Sequence, residues 1–197
     1  GIFNGTIRHD NFSNMDYNLS LSSNQILALN TGNLHNDRFY GRAVAQGTLR
    51  ITGKGNNVKL SGDLTTLPET NMTIVLGEDE EVTKYDFIRF VRKDSIPEAA
   101  PAAAPVLSSG GTEIDFTITV TPEARAQLIY NTQITDVIRA QGEGILRLRM
   151  DKDYNINLSG NYSVTQGEYL FTLQNVINKR FTIEPGGSMV WSGDPYN

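Results

Sequence analysis

The sequence contains no cysteine. That excludes a disulfide framework, a zinc–thiolate site and thiol catalysis together. It suits a periplasmic protein without requiring one, since many cytosolic domains also lack cysteine. Long apolar runs are missing too. None approaches the ~18 residues of a membrane-spanning helix, and no signal segment opens the chain. The start at Gly1 and the end at Asn197 read as cut points, so the missing leader says nothing about location. Nor is there an excess of positive charge. Lys and Arg number 17 against 22 Asp and Glu, a net −5 with both signs interspersed. This excludes the basic footprint of a nucleic-acid binder and the Lys/Arg-rich run of a membrane-surface segment.

Histidine is scarce. His9 and His35 share no metal-ligand spacing and read as solvated loop residues. The one dense carboxylate run, Gly77–Glu81, lacks the glycine-spaced alternation of a calcium loop and reads as a hairpin tip. Ser108–Gly111 and Ser159–Gly160 lack the strand-to-helix setting of a nucleophile elbow. Gly186–Gly187 is a turn rather than a phosphate cradle, since no helix follows it. A glycosidase-type carboxylate pair could be remote in sequence, but nothing singles one out. The expectation is a protein that is not an enzyme and carries no cofactor and no metal.

What the chain does have is alternation. Met15, Tyr17, Leu19 and Leu21 fall on one face of an extended strand, with Asp16, Asn18 and Ser20 on the other. Ile114, Phe116, Ile118 and Val120 alternate with Asp115, Thr117 and Thr119. Tyr154, Ile156, Leu158, Tyr162 and Val164 alternate with asparagine and serine, and Tyr169, Phe171 and Leu173 follow. Each run makes one apolar and one polar surface. Turn residues separate the runs at Gly53–Asn57, Asp151–Asp153 and Pro185–Gly187. After Pro122, the stretch to Ile138 fits either a further strand, continuing through Ala124, Ala126, Leu128 and Tyr130, or a short helix; the strand is preferred.

Two hairpins echo one another. Gly47–Thr52 leads through a polar turn to Val58–Leu64, and Gly144–Arg149 leads similarly to Ile156–Tyr162, with a turn one residue longer. This points to a repeated β unit. Between the copies lies Asp94–Gly111, rich in Ala, Pro, Ser and Gly, with almost nothing to bury; it reads as an extended loop. The organisation is thus an N-terminal β unit over 1–93, a flexible loop over 94–112 and a C-terminal β unit over 113–197. The loop is taken as an insertion in one continuous sheet rather than a linker. Trp191, the single tryptophan, reads as an interior anchor of the sheet, with an outward sugar-stacking platform as the alternative.

Four pieces then stand in order along residues 140–196: Ala140-Gln-Gly-Glu-Gly-Ile-Leu-Arg147, Asn161-Tyr-Ser-Val-Thr-Gln-Gly-Glu-Tyr-Leu-Phe171, Phe181-Thr-Ile-Glu-Pro-Gly-Gly-Ser-Met-Val-Trp191 and Gly193-Asp-Pro-Tyr196. In this order they resemble the TamB C-terminal domain, a family of the bacterial translocation and assembly module. Asp37–Gly41 and Gly47–Ile51 are similar less distinctly. The chain departs from the family by stopping at Gly193–Asn197, where members continue into another strand, which would leave a sheet edge exposed.

The resemblance implies an all-β fold: a long curved sheet rolled into an open, taco-like groove with an apolar interior. It implies a periplasmic location, as part of a protein anchored in the inner membrane. The implied ligands are phospholipid acyl chains moving between the membranes, and the implied partner is an outer-membrane barrel protein of the TamA type, with a role in outer-membrane protein assembly. Groove-lining candidates are Leu49, Ile51, Val58, Leu60, Met72, Ile74, Leu76, Ile114, Phe116, Ile118, Val120, Leu146, Leu148, Ile156, Leu158, Tyr162, Val164, Tyr169, Phe171 and Leu173. Phe181, Ile183, Met189 and Trp191 are candidates for a partner-binding edge, by strand addition. Other readings are a pure interaction scaffold, and a carbohydrate-binding β sandwich in which the same apolar residues form a closed core.

Overall fold

Eleven β-strands and no helix make up the described part of the chain in a computed structural model. The structure describes residues 1–11, 13–34, 39–75, 111–131, 136–173 and 177–195. The strands are β1 (Ile2–Asp10), β2 (Ser13–Thr31), β3 (Phe39–Lys54), β4 (Asn57–Thr66), β5 (Asn71–Val75), β6 (Thr112–Val120), β7 (Arg125–Asn131), β8 (Asp136–Met150), β9 (Ile156–Leu173), β10 (Ile177–Ile183) and β11 (Ser188–Gly193). All belong to one sheet. The stretch after Pro122 is a strand, β7, as the alternation favoured. The Gly77–Glu81 run, His35 and nearly all of the 94–112 loop lie outside the described residues.

Alternation sets the register. Pairings close a ring of six strands, β3–β4–β6–β8–β7–β5, with β1 and β2 flanking it beyond β3 and β9, β10 and β11 beyond β8. The ring has a specific construction. β4 and β5 both lie on the edge of β3 opposite β2, so they follow one another along it. β6 and β7 likewise follow one another along the edge of β8 opposite β9. The two interrupted strands run parallel, and one constant offset carries Val58 opposite Thr112 and Val75 opposite Ile129. The ring is therefore closed around a short break where both strands kink side by side, at Leu67-Pro-Glu-Thr70 and Thr121-Pro-Glu-Ala124. Proline cannot donate to a ladder, so a strand is interrupted where it falls.

Threonine side chains stitch this break. Thr70 is 5% exposed, and its hydroxyl donates to the Val44 carbonyl at 2.7 Å and accepts from the Val44 amide at 3.1 Å. It supplies Val44, the most buried side chain of the core, with the partners that a continuous strand would have given. The Thr66 hydroxyl accepts from the Thr121 amide at 2.9 Å, while the Thr121 hydroxyl lies 3.2 Å from the Thr66 carbonyl. Thr70→Val keeps the shape but leaves a buried amide of Val44 unsatisfied. A loss of about 1–3 kcal/mol is expected from chemical denaturation.

The two hairpins suspected from sequence are built alike. In β3–β4, Gly47 faces Leu64, Leu49 faces Gly62 and Ile51 faces Leu60. In β8–β9, Gly144 faces Tyr162, Leu146 faces Gly160 and Leu148 faces Leu158. The β10–β11 turn also repeats the kink: β10 and β11 both lie on the edge of β9 opposite β8. Backbone bonds from Val164 to Gly187 and from Gly186 to Val164 hold that turn against β9.

Candidate functional site

Residues paired across a ladder point to the same side of a sheet. Following the pairs from β1 to β11 therefore assigns every position to a face. One rung runs Phe3–Leu21–Leu49–Gly62–Phe116–Leu148–Leu158–Gly193. The next runs Gly5–Leu19–Ile51–Leu60–Ile114–Met150–Ile156. On the other side of the first comes Ser23–Gly47–Leu64–Ile118–Leu146–Gly160–Trp191. Val120, Gly144, Tyr162 and Met189 form part of a fourth. These rungs share one face, because positions two apart in a strand lie on the same side. The face is apolar almost without interruption across the sheet.

The opposite face is mostly polar, with apolar exceptions at the Val75–Ile129–Val137–Leu170 rung and at Val44 and Ile145. A representative rung is Asn4–Ser20–Arg50–Ser61–Asp115–Arg149–Asn157. The ion pairs Asp115–Arg147 (2.9 Å), Asp115–Arg149 (3.7 Å) and Glu168–Arg139 (2.8 Å) lie on this side. The Arg147 guanidinium, through a two-pronged hydrogen bond, holds the Asp115 carboxyl below its usual range. A lowered carboxylate pKa contributes stability above the unfolded value, and that contribution is lost as pH falls through the lowered one. Such exposed pairs add little to stability, because water and salt screen them.

Glycine is distributed as unevenly as charge. Every described glycine inside a strand (Gly5, Gly41, Gly47, Gly53, Gly62, Gly142, Gly144, Gly160, Gly167 and Gly193) falls on the apolar face. A sheet that bends toward one side crowds the side chains there, and glycines are the usual device for relieving that crowding.

The apolar face is only partly covered. Leu49, Ile51, Leu60, Ile114, Phe116, Ile118, Leu146, Leu148, Ile156 and Leu158 are all half-buried, with none fully enclosed. Fully buried side chains concentrate near the break and on β9. Tyr162, Val164 and Ala140 form a cluster against which Val120, Ile138, Ile183, Met189 and Trp191 pack. Trp191 is thus an anchor within the apolar face, not an outward platform.

The candidates from sequence sort cleanly. Those on β3, β4, β6, β8 and β9 up to Val164 share the face just traced. Met72 and Ile74 continue it beyond the break, opposite Gly41 and Phe39 on one side and Ala126 and Leu128 on the other. A bulge in β9 between Val164 and Gln166 switches its parity, so Tyr169 and Phe171 join the same face with odd numbers. Leu76 lies outside the described residues, and Leu173 is described only through its backbone pairing with Ile177. Tyr154 does not belong to the strand that its alternation suggested. It sits in the β8–β9 turn at φ 64°, 69% exposed, because Asp151 caps that turn through the Asp153 and Asn155 amides. Phe181, Ile183, Met189 and Trp191 lie on β10 and β11, which pair with β9 alone. Their side chains extend the apolar face to this last edge, where Phe181 stacks on Tyr169 with ring centres 6.1 Å apart.

Phe3, Ile7 and Leu64, absent from the candidates, also lie on this face, as do Tyr17, Leu19 and Leu21. The Phe3-x-Gly5-x-Ile7 alternation was the available signal.

The Tyr162 hydroxyl is buried without a hydrogen-bond partner, and burial raises its pKa. Its phenol stays neutral through the physiological range. Tyr162→Phe removes an unsatisfied polar atom, so a gain of up to about 1 kcal/mol in stability is expected from denaturant titration.

No group of three or more His, Asp or Glu side chains able to hold a metal occurs among the described residues, and none there forms a helix able to cross a membrane. No curated protein and no solved structure matches the chain. A family model for the TamB C-terminal domain matches residues 1–197, the full length of the sequence. The chain belongs to the TamB C-terminal domain family.

Proposed function

We propose that the apolar face is the floor of a trough along which phospholipid acyl chains move between inner and outer membranes, and that the protein is not an enzyme. The observation that carries this reading is the single apolar face, crossing the strands rung by rung and left half-exposed. Each acyl methylene taken out of water contributes about 0.8 kcal/mol. A wide surface of Leu, Ile, Val and Phe supplies that without any specific polar ligand. The one-sided glycines support curvature toward this face, which would give the open, taco-like groove. The charged opposite face would keep the outside of the trough in water. Family membership supports a role in the translocation and assembly module, with the protein anchored in the inner membrane and spanning the periplasm.

A second role is favoured by the last edge. β10 and β11 leave their outer hydrogen-bonding edge without a described strand, and an outer-membrane barrel protein of the TamA type could add one there. The trough itself is tested by native mass spectrometry of the gently purified protein, followed by lipid extraction. Co-purifying phospholipid is expected. A lipid-free mass under conditions that retain lipid on a known carrier contradicts it.

A further inference from the structure

One rung of the apolar face carries charge, which acyl chains alone do not call for. Among the described residues of β2 to β11, every charged side chain but two falls on the polar face. The exceptions are Asp136 on β8 and Lys179 on β10. Asp136 lies two positions from Ile138, and Lys179 pairs with Phe171 and lies two positions from Phe181, so both share the face of the trough. The hydroxyl of Tyr169, itself on that face, donates to the Asp136 carboxylate at 3.0 Å, which agrees with this placement.

The two charges also share one line across the sheet. The β8–β9 register, carried one step past Val137–Leu170, sets Asp136 beside Phe171, and Phe171 pairs with Lys179. Two inter-strand steps of about 4.8 Å put the Cα atoms of Asp136 and Lys179 roughly 10 Å apart, with Phe171 between them. Asp136 is half-buried, and the Thr172 amide donates to its other oxygen at 2.8 Å, so the carboxylate is fixed in place. Both of its donors are neutral, and neither Asp136 nor Lys179 forms an ion pair among the described residues. A carboxylate on an apolar surface favours a cation beside it. Lys179 is exposed, and its ammonium lies 5.2 Å from the centre of the Phe181 ring. Tyr169 packs against both Phe171 and Phe181, with ring centres 6.2 and 6.1 Å apart, so aromatic surface fills the space between the charges.

We propose that this rung selects the lipid headgroup, favouring a zwitterionic aminophospholipid, phosphatidylethanolamine, over an anionic phospholipid. The inference rests on the trough reading and adds which cargo the trough prefers. A phosphoethanolamine headgroup carries the complementary charges on a short linker, an ammonium for Asp136 and a phosphate for Lys179. Both contacts are charge-assisted hydrogen bonds. The ring faces of Tyr169 and Phe171 attract the ammonium as well. The four-carbon stem of Lys179 is flexible enough for its ammonium to follow the phosphate over Phe171. Phosphatidylglycerol keeps the Lys179 contact but sets no cation against Asp136.

The test equilibrates the whole chain with vesicles of phosphatidylethanolamine and phosphatidylglycerol in equal amounts with identical acyl chains. The protein is then re-isolated, and its bound lipid is quantified by mass spectrometry. Enrichment of phosphatidylethanolamine by about fivefold is expected, the scale of one partly exposed ion pair. Asp136→Asn should remove most of that preference while leaving the total bound lipid unchanged. Lys179→Gln should lower retention of both lipids by about the same factor, and Arg180→Gln, the next residue and on the polar face, should change neither. Equal uptake of the two lipids by the parent, or a preference that survives Asp136→Asn, overturns the proposal and leaves the trough standing. If Asp136→Asn does not fold, the exposed Lys179→Gln variant decides, and unchanged retention there overturns the proposal. A parent that takes up no lipid overturns the trough and the headgroup site together.

Discussion

Gly160→Val is expected to destabilise the fold by about 3–5 kcal/mol, and Gly62→Val, where only the steric clash applies, by about 1–3 kcal/mol. Gly160 has φ +130°, and a Cβ added there would lie 2.2 Å from the Ile145 carbonyl oxygen. At Gly62 the added atom would lie 2.1 Å from the Thr48 carbonyl. Both contacts are with backbone, which cannot rotate away as a flexible side chain would. Holding a branched residue at the Gly160 φ costs about 1–3 kcal/mol, and at both positions the forced displacement of packed atoms costs about as much. Against a total stability of about 5–15 kcal/mol, this is a large fraction. The melting temperature should fall by roughly 6–20 °C. Ser159→Val, one position along and on the polar face, should change it little. A Gly160→Val protein that melts like the parent would show that the ladder can shift by far more than these distances allow.

Leu158→Arg and Ile156→Glu should empty the trough without unfolding it. Both positions lie on the apolar face, half-buried, next to one another across one strand step. A charge placed where acyl chain should lie costs about 2–4 kcal/mol, equivalent to at least a ~30-fold loss in lipid occupancy. Strand content by circular dichroism should stay the same, because neither backbone conformation nor ladder pairing changes. Asn157→Arg, between the two on the polar face, should carry lipid as the parent does. If Leu158→Arg retains lipid at the parent level, Leu158 does not line the path.

Much of this was legible before the fold was seen, for a physical reason. A strand exposes its two faces to different surroundings, so a period of two in the sequence is a direct statement about geometry. Ile114–Val120 and Ile156–Val164 carried that signal, and the matched hairpins carried the register. Other features were not legible. The kinks at Pro68 and Pro122 align only because two strands run parallel, and parallel pairing leaves no local mark. The parity switch in β9 at Thr165 comes from a bulge, which the alternation alone hides. Tyr154 continued the pattern but is claimed by its turn. Only the ladder pairs show that the ten strand glycines share one face.

The central claim is that one face of this sheet meets lipid and the other does not. The most direct measurement places a photoreactive amino acid at Leu148 or, separately, at Arg149, adjacent residues on opposite faces of β8, and irradiates the protein in cells. Phospholipid adducts at position 148 and none at 149 are the expected result. Equal labelling at both positions, or labelling at 149 alone, would contradict it.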